Sequence, residues 1–291
     1  MEKSAMTRSG LFTLGAAFVV VAHACAQPKL PEGTRPDRDL AYGTHERQKL
    51  DLYRPKSGGP FPLVLWIHGG AWEGGSKDGA NPAAGLLARG YAVASTNYRL
   101  SRQATFPAQA HDVKGAVRFL RANAKKYDLD PDHIGVCGAS AGGHLVALLG
   151  TGADVKELEG DIGNKDVSSR VQCVIDFFGP TDLARLSPPR ARDNPVSRLL
   201  GGAPDARRSL ATLANPITHV TKDDAPFLIV HGTKDGLVPL SQSELLHEAL
   251  RRAGVDSTLK VVRDAGHGNG IFTPELLQEY AAFFDRHLQK K

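Results

Sequence analysis

The stretch "FPLVLWIHGG", Phe61 to Gly70, places seven apolar or β-compatible residues in a row and ends abruptly in glycines. A strand with one face in water alternates apolar and polar residues. A continuous apolar run reads instead as a strand buried on both faces, the condition of a parallel sheet covered by helices. The rest of the chain repeats the theme. "KLDLYRP", "YAVASTNYRL", "HIGVCG", "VQCVIDFFG", "APFLIVHG" and "STLKVVRDA" read as further strands. Between them lie segments with helical spacing. These are "NPAAGLLARG", Pro107 to Tyr127, Ser140 to Leu149, Ser241 to Ala253, and Pro274 to Leu288. Strand–helix alternation predicts an α/β fold with a mostly parallel sheet of about eight strands and helices on both faces. Ligands of such sheets bind beyond the carboxyl ends of the strands.

At 291 residues the chain is long enough for one or two domains. The excess of 36 Lys and Arg over 31 Asp and Glu is small, and the basic residues are scattered without aromatic interleaving. That pattern reads as solvated faces and argues against a nucleic-acid site. The N-terminus has a different character. Lys3 and Arg8 precede the apolar run Leu11 to Ala22, and Ala24 and Ala26 follow at an A-x-A spacing. This is the layout of a secretory signal peptide over residues 1–26, with export to the periplasm or beyond and no membrane association after cleavage. Residues 27–291 then form a single domain. Cleavage would remove Cys25 and leave Cys137 and Cys173 as buried free thiols in strand-like runs. The Pro-, Arg- and Asp-rich segment 181–224 reads as a small lid or binding insertion over the sheet edge.

The chemistry begins at "VCGASAGGHL". Small residues around Ser140 fit a tight strand-to-helix turn, and they also fit a nucleophile exposed at its tip. A serine hydroxyl becomes a useful nucleophile only when a histidine accepts its proton and a carboxylate orients that histidine. The developing oxyanion also needs preorganised N–H donors. The chain supplies a candidate for each, and every one follows a strand run. The glycines of "WIHGGAW" leave room for the Gly70 and Ala71 N–H groups to approach a substrate oxygen, with Ala141 as third donor. Asp235 in "VHGTKDGLVP" is the better-placed acid, because its loop adjoins the last strand. Asp182 in "FFGPTDL" is the alternative, read as a cap or a brace for the insertion. His267 in "RDAGHGNG" is the base by position. His68 is read as structural, His144 as pointing along its helix, and His231 as buried. Trp72, just past the donors, is a candidate for the pocket wall or for the core.

Taken together, these motifs resemble the α/β-hydrolase superfamily. They are nearest its esterase branch with an HGG-type oxyanion loop, related to hormone-sensitive-lipase-like enzymes. The resemblance spans residues 40 to 290. "HGGAW", "STNYRL", "FPAQAHDVKGAVRFLRANA", "GASAGGHLVALLG" and "HGTKDGLVP" are especially similar to secreted bacterial esterases that deacetylate xylan or release ferulate. The resemblance implies Ser140, Asp235 and His267 as triad, Gly70, Ala71 and Ala141 as oxyanion donors, and neither metal nor organic cofactor. It implies a small-molecule or polysaccharide ester as substrate. The short leader before the first strand suggests an open, shallow site for small acyl groups. Other acyl hydrolases, formamidase- or peptidase-like, share such motifs, and a binding protein on an inactive hydrolase scaffold is a third reading.

Overall fold

The computed structural model describes residues 30–187, 190 and 192–289. The proposed signal peptide lies outside the described residues. Among the described residues eight strands form one sheet: β1 (Arg35–Ala41), β2 (Lys49–Arg54), β3 (Phe61–Ile67), β4 (Ala92–Thr96), β5 (Leu129–Ala139), β6 (Cys173–Phe177), β7 (Phe227–Gly232) and β8 (Ser257–Val262). Their spatial order is β1-β2-β4-β3-β5-β6-β7-β8. The β1–β2 and β2–β4 pairs are antiparallel, and every other pair is parallel.

The apolar run Phe61–Ile67 is β3, near the middle of this sheet. Leu63, Leu65 and Ile67 point into the core layer beneath helices α1 (Ala108–Ala122) and α2 (Ala141–Thr151). Val64 and Trp66 point into the opposite layer. A strand loaded on both faces needs helices on both faces. The first layer is completed by α7 (Leu240–Ala253) through Leu246 and Leu250. The second is completed by α8 (Pro274–Leu288) and by a 3₁₀ helix, Pro82–Arg89, capped by the Asn81 side chain and closed by Gly90 at φ 86°. Cys137 and Cys173 are free and buried in that second layer.

Two expectations need adjustment. The stretch up to Asp37, read as a leader ahead of the first strand, runs into β1, whose seven residues are half-buried or exposed. An edge strand rich in Arg and Asp carries no apolar signature, and its pairing with β2 is what makes it a strand. The helix expected to reach Tyr127 ends at Ala122, with Asn123 as its cap. Beyond α2 comes α3 (Lys156–Glu159). The segment 181–224 is built from α4 (Leu183–Leu186), α5 (Pro195–Leu200), α6 (Arg208–Ala214) and a 3₁₀ turn, Pro216–Thr218. Among the described residues, no helix is long and apolar enough to cross a membrane.

The loop after α2 is fastened to α1 by charge. Lys114 and Arg118, whose side chains are 1% and 2% exposed, both bind Glu159 at 2.6 Å. Burial pushes the Lys114 ammonium down, and Glu159 opposes that shift. Removing one partner of a buried pair leaves an uncompensated charge. Glu159→Gln should therefore lower unfolding free energy by about 3 kcal/mol, read from urea denaturation, while Glu157→Gln on the same short helix should change little.

Candidate active site

The turn between β5 and α2 places Ser140 at φ 57°, ψ −120°, a strained conformation for a residue with a side chain. Such backbone costs about 1–3 kcal/mol and persists only when its surroundings enforce it. They do so by close contact. A Cβ built on Gly142 would stand 2.1 Å from the Ile67 carbonyl oxygen and 2.7 Å from that of His68. One on Gly143 would stand 2.4 Å from Asp176 Oδ1. One on Gly138 would meet the Gly142 carbonyl oxygen at 2.5 Å. The first turn of α2 therefore lies directly on the ends of β3 and β6, and only glycine permits that approach. The Ser140 N–H donates to Phe177 O at 2.9 Å, which ties the turn to β6.

The loop after β3 runs against the same turn. A Cβ on Gly69 would meet Ala139 O at 2.7 Å and the Ser140 Cβ at 3.3 Å. Gly70 has φ 108°, and Ala71 and Trp72 have φ 55° and 59°. The Gly70 carbonyl accepts from Glu73 and Gly74 N–H groups at 2.9 and 3.0 Å. The N–H groups of Gly70, Ala71 and Ala141 donate to no partner among the described residues. His68 is structural, as expected. Its Nδ1 bonds Gly69 O at 2.7 Å, Arg47 reaches Nε2 at 3.3 Å, and its ring stacks on Tyr98 at 4.4 Å. Burial pushes its pKa down to about 4, so it is neutral.

The acid and base lie on the turns after β7 and β8, at the same edge. His267 Nδ1 donates to Asp235 Oδ2 at 2.7 Å. Asp235 Oδ1 accepts from the N–H groups of Leu237 and Val238, both at 2.9 Å. A second histidine, His231, fully buried on β7, places Nε2 3.3 Å from Asp235 Oδ2 while bonding Val238 O at 2.9 Å. Its Nδ1 meets Ser243 Oγ at 2.7 Å. Burial pushes the Asp235 carboxyl up, but bonds from His231, His267 and the Val238 N–H outweigh it and hold the group well below the usual carboxylate range. His267 is 19% exposed, and its Nε2 has no partner among the described residues. Its ring packs 4.6 Å from that of Phe178, the neighbour of the Phe177 that receives the Ser140 N–H. The arrangement offers an oriented base, a strained serine at a helix N-terminus, and unpaired N–H donors on one sheet edge.

Four side chains resolve differently or more fully than the sequence suggested. Trp72 is a correction to its reading as pocket lining: it is 2% exposed, belongs to the core, and spends its indole N–H on His144 Nδ1 at 3.2 Å. Asp182 caps α4 through the Ala184 and Arg185 N–H groups and meets the Asn215 amide at 3.4 Å, the bracing role foreseen for it. Sequence reasoning overlooked Asp176, fully buried on β6, which accepts from Gly179 N–H at 2.9 Å with Oδ1 and leaves Oδ2 unpaired. It also overlooked Glu73, whose carboxylate grips the Arg198 guanidinium of α5 through both oxygens. A carboxylate in an apolar strand run was the available signal for Asp176. Among the described residues, no cluster of His, Cys, Asp and Glu could hold a metal ion.

Burial raises the Asp176 pKa from 3.8 to about 7, with the Gly179 bond and His231 opposing. The folded protein then binds more protons than the unfolded chain between those values, so stability falls as pH rises through the window. Asp176→Asn cannot titrate. Its melting temperature relative to wild type should climb between pH 4 and pH 7 and level off above. A constant difference would mean that Asp176 is ionised throughout. Gly142→Ala should cost about 2 kcal/mol or more of stability by overpacking and should lower any turnover that depends on Ser140, since it wedges Ser140 away from the Gly70–Ala71 loop. Denaturation and initial rates would measure the two effects.

The BD-FAE family model matches residues 50–250. The chain is 33% identical over 243 residues to Esterase LipC of Mycobacterium tuberculosis, covering 79% of this chain and 59% of that protein. The chain thus spans a little over half the length of this curated relative. Among solved structures, a truncated form of a carbohydrate esterase from gut microbiota superposes with TM-score 0.85 at 36% identity, covering 90% of this chain and 99% of that one. An acetyl ester-xyloside bifunctional hydrolase from Caldicellulosiruptor lactoaceticus superposes with TM-score 0.71 at 28% identity, covering 82% and 87%. The sheet order, the turn that carries Ser140 and the matched span agree: this chain belongs to the BD-FAE family of α/β-hydrolase esterases.

Proposed function

We propose that the protein is an exported serine carboxylesterase that removes short acyl groups, acetyl or feruloyl, from plant polysaccharide such as xylan. The observation that carries the catalytic reading is the Asp235–His267 bond of 2.7 Å, with His267 Nε2 unpaired on the edge that presents Ser140. The similarity to a carbohydrate esterase and to an acetyl ester-xyloside hydrolase supports the substrate class. Lys3, Arg8, the run Leu11 to Ala22 and the Ala24–Ala26 spacing support export. The segment 181–224 serves as a cover or binding element beside an open site.

In this mechanism Ser140 Oγ attacks the ester carbonyl while His267 Nε2 takes its proton. Asp235, held ionised by its bonds, fixes the Nδ1–H tautomer and stabilises the imidazolium. The N–H groups of Gly70, Ala71 and Ala141 receive the oxyanion. Collapse expels the alcohol, which takes the proton from His267. Water, deprotonated by His267, then attacks the acyl-enzyme; the acyl–Oγ bond breaks, His267 returns the proton to Ser140 Oγ, and the acid is released. The N-terminus of α2, aimed at the same point, adds its partial positive charge.

Acetate release from acetylated xylan tests the reading, with Ser140→Ala as the blank. Wild type should release acetate and the variant should not. Asp235→Asn should lose about 10³–10⁴ in kcat with the fold intact, as expected for a histidine held in the wrong tautomer. Cleavage of p-nitrophenyl acetate without release from xylan would retain the esterase and discard the polysaccharide. Undiminished turnover by Ser140→Ala would discard the nucleophile.

A further inference from the structure

We propose that His144 is a positioning residue for the oxyanion-binding loop, acting through Trp72. This rests on the reading of Ser140 as nucleophile and of the Gly70–Ala71 loop as donor. His144 follows Ser140 by one helical turn, and its N–H donates to Ser140 O at 3.0 Å. Its imidazole therefore rides on the turn that carries the nucleophile. The ring is fully buried, and both nitrogens are engaged. Nδ1 accepts from the Trp72 indole N–H at 3.2 Å, and Nε2 lies 2.7 Å from Ala214 O. An indole N–H can only donate and a carbonyl can only accept. The neutral Nε2–H tautomer is thus the one form of the ring that makes both bonds. Burial, partly opposed by the Ala214 bond, lowers its pKa to about 4, which keeps that form in place at neutral pH.

The loop needs such an anchor. Ala71 and Trp72 are consecutive side-chain-bearing residues with positive φ, a geometry that local sequence does not favour. Trp72 is held edge-on against His144, with ring centroids 5.3 Å apart and planes at 87°. Fixing the Trp72 ring fixes the backbone that presents the Ala71 N–H. Through Ala214, at the end of α6, the same imidazole also reaches the segment 181–224. One ring therefore sets the separation between nucleophile helix, donor loop and insertion.

Two substitutions divide the bonds of this ring. Asn can offer an amide oxygen near the place of Nδ1 and keep the acceptor for Trp72. Gln can carry an amide nitrogen toward the place of Nε2 and keep the donor to Ala214. The folded, active fraction of each variant is counted by fluorophosphonate labelling. Then kcat and KM for p-nitrophenyl acetate are measured, together with Ki for a trifluoromethyl ketone, whose adduct with serine carries the oxyanion. His144→Gln and Trp72→Phe should each lose about 10- to 100-fold in kcat per labelled site, with KM within about threefold, and Ki should rise in proportion. His144→Asn should keep kcat within about fivefold, although it lowers the melting temperature as Gln does. The double variant His144→Gln, Trp72→Phe should be no worse than either single one.

Equal kcat losses in Asn and Gln, or unchanged kcat and Ki per labelled site with only a lower melting temperature, would overturn the positioning role. Should His144→Gln not fold, Trp72→Phe carries the same test. Failure of wild type to label at Ser140 would instead remove the catalytic reading on which the inference stands.

Discussion

The contact between the first turn of α2 and the carbonyl ends of β3 sets the geometry of everything else at the site. Gly142 has no room for a methyl group beside Ile67 O and His68 O, and Gly143 has none beside Asp176. With those two hydrogens in place of side chains, the helix N-terminus descends onto the sheet. Ser140 is forced to positive φ, and the Gly69–Trp72 loop lies against it. Strain at one serine is thereby sustained by packing spread over two strands and a helix.

Environment then sorts the ionisable groups of this edge. Burial keeps His68 and His144 neutral, and it raises Asp176 toward the acid form. Asp235 is also buried, yet two backbone N–H groups and two imidazoles hold it as the anion. Desolvation acts on all four groups. The number of hydrogen-bond donors aimed at each decides which one carries charge. The negative charge of this cluster is thus placed directly behind His267, where a developing imidazolium would need it.

The insertion is joined to the elements around the site through chemically different links. Arg198 of α5 grips Glu73, the residue after Trp72, and Ala214 of α6 accepts from His144. Phe106 N–H also donates to Leu199 O at 2.8 Å. A segment that looked in sequence like a polar cover is in fact fastened to the same backbone that would hold the oxyanion.

Much of this was legible in the chain itself, because it depends on local rules. A run such as "FPLVLWI", short and ended by glycines, reads as a strand buried twice over, and glycines after a strand mark a turn toward the helix. Ser140, Asp235 and His267 stand out as candidates because each follows such a run, and parallel strands deliver their carboxyl ends to one edge. Other features rest on partners distant in sequence. β1 is a strand through its pairing with β2, since its own residues are charged. Trp72 is a core residue because His144, 72 positions away, accepts its N–H. Asp176 is an ordinary carboxyl by sequence and a buried acid by position. Periodicity and turn chemistry along the chain are enough for the fold class and the order of the candidate catalytic groups. Which polar groups meet is settled in three dimensions, because hydrogen bonding and desolvation are set by neighbours in space, and those neighbours come from separate strands.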